Sequence, residues 1–366
     1  MSAVLITNAL AVTVEEFGQS VAYTLQDRDG PGFSALVDDD SLIDRAMTGI
    51  DGGNKSIVAG LRTGLARGLS QVGTVIVNNM GPEVRMTYLR SRNVEQVQRV
   101  LLRVDLGERG INYLDFFVRE RPDGSLSIFD WLDYAQGQTY SDSLRKVMAL
   151  MMKEQPSLVS KLLGLGNIDT AVANKIAKMG NLGQEGDWAG WLETYRTLPE
   201  NVRNSRVMLS GRIAAASMLG DDDEYMNAMA DLHANHGDDP TLSLALLDYH
   251  LVTGDYTRAY RAVDRLDEYT GGDAALTNLR SGIALHEGDN AACIRHARRA
   301  ISQDADYEEP YWNLMLAGSR AGNYEAAMEA VRALEMRFGY GFSEEELMAS
   351  EDFSGLVTSQ EWESGS

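Results

Sequence analysis

Apolar and polar positions in the second half of the chain recur at a fixed interval. Gly186, Gly220, Gly254, Gly288 and Gly322 are spaced by 34 residues, and each is followed by Asp187, Asp221, Asp255, Asp289 or Asn323. Five residues past the glycines stand Trp191, Tyr225, Ala259, Cys293 and Ala327, and six past them Leu192, Met226, Tyr260, Ile294 and Met328. Twelve past them stand Leu198, Leu232, Leu266, Ala300 and Leu334. Such offsets share one face of a helix. A glycine ends a first helix because it enters the left-handed conformation cheaply, and the Asp or Asn then caps a second. One hairpin cannot bury its own apolar face, so neighbours must stack. The pattern predicts five helical hairpins over residues 170–340. It predicts a capping helix and tail over 341–366, where Phe353, Leu356 and Trp362 shield the end of the stack.

The first 155 residues follow another rule. Helical spacing runs over Val14–Leu25, Gly32–Met47 and Ser56–Val72. Strand alternation follows, with Val100, Leu102, Val104 and Leu106 set against Leu101, Arg103 and Asp105. A second run, Ile111–Glu120, is joined to a third, Leu126–Ala135, by Arg121-Pro-Asp-Gly124, a sequence with turn chemistry. Gly73–Val77 and Val84–Arg90 read as further strands, and Ser141–Lys153 as a closing helix with Ser141 as its N-cap. Helices followed by a curled antiparallel sheet predict an α+β domain over residues 12–155, with a helical junction over 156–169.

The 34-residue period with Gly-Asp-Tyr-x-x-Ala at the turn, as in Gly254-Asp-Tyr-Thr-Arg-Ala259 and Gly322-Asn-Tyr-Glu-Ala-Ala327, resembles the tetratricopeptide repeat family over residues 170–340. Tyr311-Trp312 stands near that family's aromatic position. Trp191 and Tyr225 depart from its small-residue position, and the proline usual at the end of each repeat is missing. The resemblance implies an all-α solenoid whose concave groove takes a partner. The segment Asn112 to Asp130, a hairpin ending in an aspartate, resembles the cone-shaped fold named after nuclear transport factor 2, which implies a sheet with one face lining a cavity. The Asp-Tyr-x-x-Ala units with Phe-Gly-Tyr-Gly-Phe342 also resemble exported bacterial tetratricopeptide proteins.

Charge sharpens the division. Up to residue 155 there are 16 Lys+Arg against 20 Asp+Glu, and beyond it 17 against 34, so −17 of the net −21 lies in the helical part. That part repels phosphate backbones and argues against nucleic acid, while a basic partner segment suits it. The plainer reading is a surface kept soluble by acidic side chains. No apolar run reaches the length of a membrane span. Residues 1–11, ending Ala9-Leu10-Ala11, read either as the remnant of a secretory signal without its basic region or as an ordinary hydrophobic start. The first reading, with Cys293 as the lone cysteine, favours a periplasmic over a cytoplasmic location.

Candidate chemistry is sparse. Gly49-Ile-Asp-Gly-Gly-Asn-Lys-Ser56 misses the phosphate-loop pattern because Asn54 replaces the glycine before the lysine. His233/His236 and Cys293/His296 have helical spacing but supply two ligands each, too few for a zinc site. Neither a catalytic set, a metal nor a cofactor is expected. The groove reading rests on Asn204, Arg212, Tyr249, His250, Asn278, Trp312 and Asn313 from the first helices of the hairpins, facing another protein or peptide. The competing reading is a small-ligand site or enzyme in the N-terminal cavity, built on Tyr113, Asp115 and Arg119 of one strand and Asp130 and Tyr134 of the next. A desolvated carboxylate there could act as a base, or could form a structural polar pair such as Asp115–Arg119.

Overall fold

The structure is a computed structural model that describes residues 12–50, 55–107, 110–151, 156–166 and 168–364. The signal-like residues 1–11 and residues 51–54 of the phosphate-loop-like segment lie outside them. An N-terminal part with a five-stranded antiparallel sheet is followed by a largely helical part. Among the described residues no helix is long and apolar enough to cross a membrane.

Helices α1 (Val14–Gln26), α2 (Gly30–Leu36), α3 (Asp39–Ala46), α4 (Lys55–Leu69) and α5 (Val72–Asn78) precede the strands. The strands β1 (Arg85–Val94), β2 (Val97–Asp105), β3 (Ile111–Glu120), β4 (Leu126–Asp133) and β5 (Gln138–Thr139) pair in sequence order. Val100, Leu102, Phe116, Val118, Ile128 and Trp131 share a buried cluster with Phe17, Val21, Leu25 and Phe33 from the helices. The Phe33 ring meets Phe116 at 5.9 Å and Trp131 at 6.3 Å, both edge-on. Register shifts at Tyr88/Arg90 and at Phe117/Val118, the latter with Phe129 as the extra residue, bend the strands. At the hairpin turn Gly124 takes φ +84, and Arg121 N–H donates to the Ser125 carbonyl at 2.7 Å.

Three local readings are corrected. Gly73–Val77 lies in helix α5, not in a strand: Val72 and Val77 are buried while Val75 is 54% exposed, and strand alternation would have buried Val75 with Val77. The glycine serves close packing, since a Cβ at Gly73 would fall 2.0 Å from the Gly30 carbonyl oxygen. The Gly32–Met47 helix is broken, because Val37 turns extended to bridge Ile128 and the Asp38 side chain starts α3 by accepting from Ser41 N–H at 3.1 Å. Helix α6 (Tyr140–Met151) is not capped by Ser141. Thr139 Oγ1 accepts the Asp142 N–H at 3.2 Å, and Ser141 turns inward to Asp130.

The helical part continues with α7 (Pro156–Leu163), α8 (Thr170–Glu185), α9 (Trp188–Arg196), α10 (Glu200–Arg203), α11 (Arg206–Leu219) and α12 (Asp222–His236). It goes on through α13 (Ser243–Val252), α14 (Tyr256–Thr270), α15 (Ala274–Glu287), α16 (Asn290–Gln303), α17 (Glu309–Arg320) and α18 (Tyr324–Phe338). Short helices α19 (Glu344–Met348), α20 (Ser354–Val357) and α21 (Gln360–Glu363) end the chain. The helices α8/α9, α11/α12, α13/α14, α15/α16 and α17/α18 pack as pairs. Every one of the five turns has the same atoms in the same roles. Gly186, Gly220, Gly254, Gly288 and Gly322 take φ of 76, 65, 70, 83 and 66. The next N–H reaches back five residues, as in Asp187 to the Leu182 carbonyl at 2.9 Å and Asn323 to the Gly318 carbonyl at 2.8 Å. The Asp or Asn side chain then accepts from the N–H three residues on. This is a Schellman end fused to an N-cap, which satisfies orphan groups of both helices in one turn.

The chain divides into two compact units, up to Leu242 and from Ser243 on. The division falls inside the hairpin series because α6, α7, α8, α9 and α11 pack successively onto one another, with α6 also against β4. In the second unit α14 packs on α15, α16 on α17, and α15 on α17. Leu347, Leu356 and Trp362 join the cluster of Leu314, Val331 and Leu334.

Candidate functional site

On the sheet, the structure separates the two predicted carboxylates, Asp115 and Asp130, into different polar nodes and places Arg119 in neither. Asp115 of β3 is fully buried and takes Arg92 Nη2 of β1 at 2.8 Å and Arg99 Nη1 of the adjacent β2 at 3.1 Å. Burial alone would lower the Arg92 pKa, but the Asp115 carboxylate, with Tyr134 adding to it, holds that pKa above its ordinary value. Arg99 also lies over the Phe117 ring at 4.2 Å. Tyr113 and Tyr134 are fully buried edge-to-face neighbours, 6.1 Å between centroids. Arg119 does not pair with Asp115; its Nε donates to Asp38 at 3.1 Å.

Asp130 forms the second node. Its carboxylate accepts from Arg45 Nε at 2.8 Å, Ser141 Oγ at 2.6 Å and Ser141 N–H at 3.1 Å, and from its own neighbour Trp131 N–H at 2.9 Å. It thereby ties α3 and the start of α6 to β4. Both carboxylates are answered by arginine, but only Asp130 has hydrogen bonds on both oxygens; Asp115 takes both arginines on Oδ2 and its buried Oδ1 accepts none.

The hairpin residues scatter more widely. Asn204 lies between α10 and α11, with its carbonyl accepting from His236 Nε2 at 2.8 Å. Arg212 is engaged by Glu224 and Asp231, both at 2.6 Å, and stands over Tyr195. In the second unit Tyr249 is half-buried on α13, and His250 beside it is buried. Asn313 Nδ2 of α17 donates to Asn278 Oδ1 of α15 at 2.9 Å, so these two predicted residues do meet across successive first helices. Trp312 donates through Nε1 to Glu308 at 2.9 Å and packs edge-on against Tyr340 at 4.9 Å and Phe342 at 5.7 Å. Cys293 is buried against Ser281 Oγ at 3.2 Å, and burial raises its thiol pKa above the ordinary value, so it serves as a small seam residue.

The sequence reading missed a cluster in the first unit. Arg145 and Lys146 of α6, Lys161 of α7 and Arg206 of α11 line one cavity of about 280 Å³. An apolar cavity of about 300 Å³ shares Lys146, Leu163 and Val207 with it. The signal was present in composition: five of the six lysines lie between residues 146 and 178, against the acidic trend of the chain.

The sequence matches no protein-family model, and no curated protein is similar to it. Function is therefore read from the geometry.

Proposed function

We propose that the helical part is a tetratricopeptide-type solenoid that holds a basic peptide segment of a partner protein and performs no chemistry of its own. The observation that carries this reading is the repetition of one turn, Gly plus Asp or Asn in the same hydrogen-bonded geometry, at five positions 34 residues apart. A recurring unit that cannot bury its own face makes an extended surface, and extended surfaces suit peptides. The Asn278–Asn313 bond between α15 and α17 supports it, because amide side chains on that row can exchange partners with a peptide backbone. The acidic balance of residues 156–366 favours a basic occupant. For the N-terminal domain we keep the cone-like reading as part of the proposal, supported by a five-stranded antiparallel sheet that packs on helices. Its carboxylates Asp115 and Asp130 are engaged by arginines, which favours a structural role for that sheet.

The test is a fluorescence-anisotropy screen of the full chain against an array of basic peptides, each with a charge-matched scramble. A selected peptide should bind more tightly than its scramble and lose about tenfold in affinity with Asn278→Ala or Asn313→Ala, the scale of one or two peptide hydrogen bonds. Equal binding of peptide and scramble, unchanged by both variants, would leave only diffuse electrostatics and defeat the proposal.

A further inference from the structure

The cationic cavity of the first unit runs against the chain's −21 charge, so its composition needs a reason. Arg206 is answered by Asp239 at 2.6 Å. Arg145 donates to the Thr48 and Arg45 carbonyls at 2.7 and 3.2 Å, and Lys146 to the Gln138 side chain. Among the described residues Arg145, Lys146 and Lys161 make no ion pair, and Asp142, held by Thr139, is the one carboxylate lining the cavity. Burial and then the charge of Arg206 lower the Lys146 pKa to about 8, against the opposing pull of Asp142. Gathering like charges in a partly buried site costs free energy, and an anion placed among them reverses the sign of that term. The distant acidic surface does little to oppose this, because charges beyond roughly 8–10 Å are screened at physiological salt.

The adjoining cavity has the opposite chemistry. Ile176, Met179, Trp188, Trp191 and Met208 line it, and Gly180 and Gly183 add two positions on α8 that carry no side chain. A Cβ on Gly183 would already lie 3.4 Å from the Trp188 ring. Lys146 stands at the border of the two cavities, so one ligand with a charged end and an apolar body can occupy both. A few placed polar groups beside an apolar chamber is the common build of a small-molecule site.

We propose that these joined cavities bind a small organic carboxylate with an apolar body, its head among Arg145, Lys146 and Lys161 and its body against Trp188 and Trp191. The site is independent of the peptide surface proposed above, and either can fail without the other.

The test titrates the full chain by calorimetry with decanoate, 1-decanol, decyltrimethylammonium and inorganic phosphate, below the concentration at which the amphiphiles assemble. Decanoate should bind at one saturable site, and the other three should bind at least about tenfold more weakly, the scale of one charge-assisted contact or of a lost apolar body. Lys146→Met and Gly183→Leu should each weaken decanoate by a similar factor. Affinity should also fall as pH rises through about 8, where Lys146 loses its proton in a cavity that it shares with Arg145, Lys161, Arg206 and Asp142. That step should vanish in Lys146→Met. Should that variant fail to fold by circular dichroism, Lys161→Gln on the exposed rim replaces it, with about a threefold loss expected. Decanol binding as tightly as decanoate, phosphate binding as tightly, or decanoate affinity unchanged in folded variants would each overturn the proposal.

Discussion

In the sheet the Asp115 carboxylate sits at zero exposure between Arg92 and Arg99, and Asp130 is equally buried beneath Arg45 and Ser141. From Ser243 onward most ion pairs stay at the rims, as in Arg298–Glu329 and Arg320–Asp352, and even the deeper Arg280 reaches the part-exposed Asp264 and Asp267, while the seams are mainly small and apolar. Ala259, Val263, Ala297, Ala300, Ala327 and Leu334 are all buried there. The sheet therefore adds to its apolar core a few polar nodes whose one-sided loss strands buried charges. The hairpins distribute it over many similar apolar contacts and five similar turns. A designer could trim the second region gradually, whereas the first has points of failure.

The largest effect should come from Asp115→Ala, which leaves two mostly buried arginines without their carboxylate. Loss of one partner from such a pair costs about 3–5 kcal/mol, read as a lowered midpoint in urea unfolding. Removing the whole node in Asp115→Leu/Arg92→Met/Arg99→Met should recover most of that loss. If the single variant is nearly neutral, the sheet is not organised around this node and the comparison fails.

Lys146→Met probes a half-buried charge without a carboxylate partner, so its sign should be opposite. The folded pKa of about 8 lies below the ordinary lysine value of 10.5, so between these values the unfolded chain holds a proton that the folded chain has released. Stability of the native protein should therefore rise with pH across that window, and at neutral pH the charged lysine is a cost. Its removal should stabilise the fold by about 1–3 kcal/mol at pH 7 and flatten the rise above pH 8. Urea titrations at several pH values check both. A destabilised variant would show that the lysine stem packs more than its charge costs.

Third in size is Gly322→Ala. A Cβ there meets nothing within 4 Å, so the whole effect is the left-handed backbone at φ +66. About 1 kcal/mol is expected, with the same figure for Gly254→Ala and Gly288→Ala. Unequal losses would mean that the turns are not equivalent.

These turns were legible in the sequence because their chemistry is local: the glycine, the cap and the apolar offsets lie within a dozen residues. The Gly73–Val77 run was misread because a short apolar stretch fits strand and helix equally, and its decisive contact, Gly30, is far away in sequence. The polar nodes were half legible. Asp115 and Asp130 stood out as carboxylates in apolar strands, but Arg92, Arg99 and Arg45 reach them only through strand register and helix packing. Likewise Arg212 was placed on a first helix, while its partners Glu224 and Asp231 come from the next one. The cationic cavity was the hardest to see, since its lining runs from Gly137 to Val207 and only the crowding of lysines near it shows in composition.

The smallest effect should come from Arg298→Ala. Both side chains of the Arg298–Glu329 pair are nearly half exposed, at 45% and 47%. Arg298 Nε and Nη2 approach the same oxygen, Oε2, at 3.1 and 2.6 Å, so the pair lacks the two-oxygen fork that gives such contacts geometric strength. It joins α16 to α18, and its removal strands no buried group. A double-mutant cycle with Glu329→Ala should give a coupling of about 0.2–0.5 kcal/mol that shrinks in high salt. A coupling above about 1 kcal/mol would place a strong polar node beyond Ser243 as well and erase the contrast with the sheet.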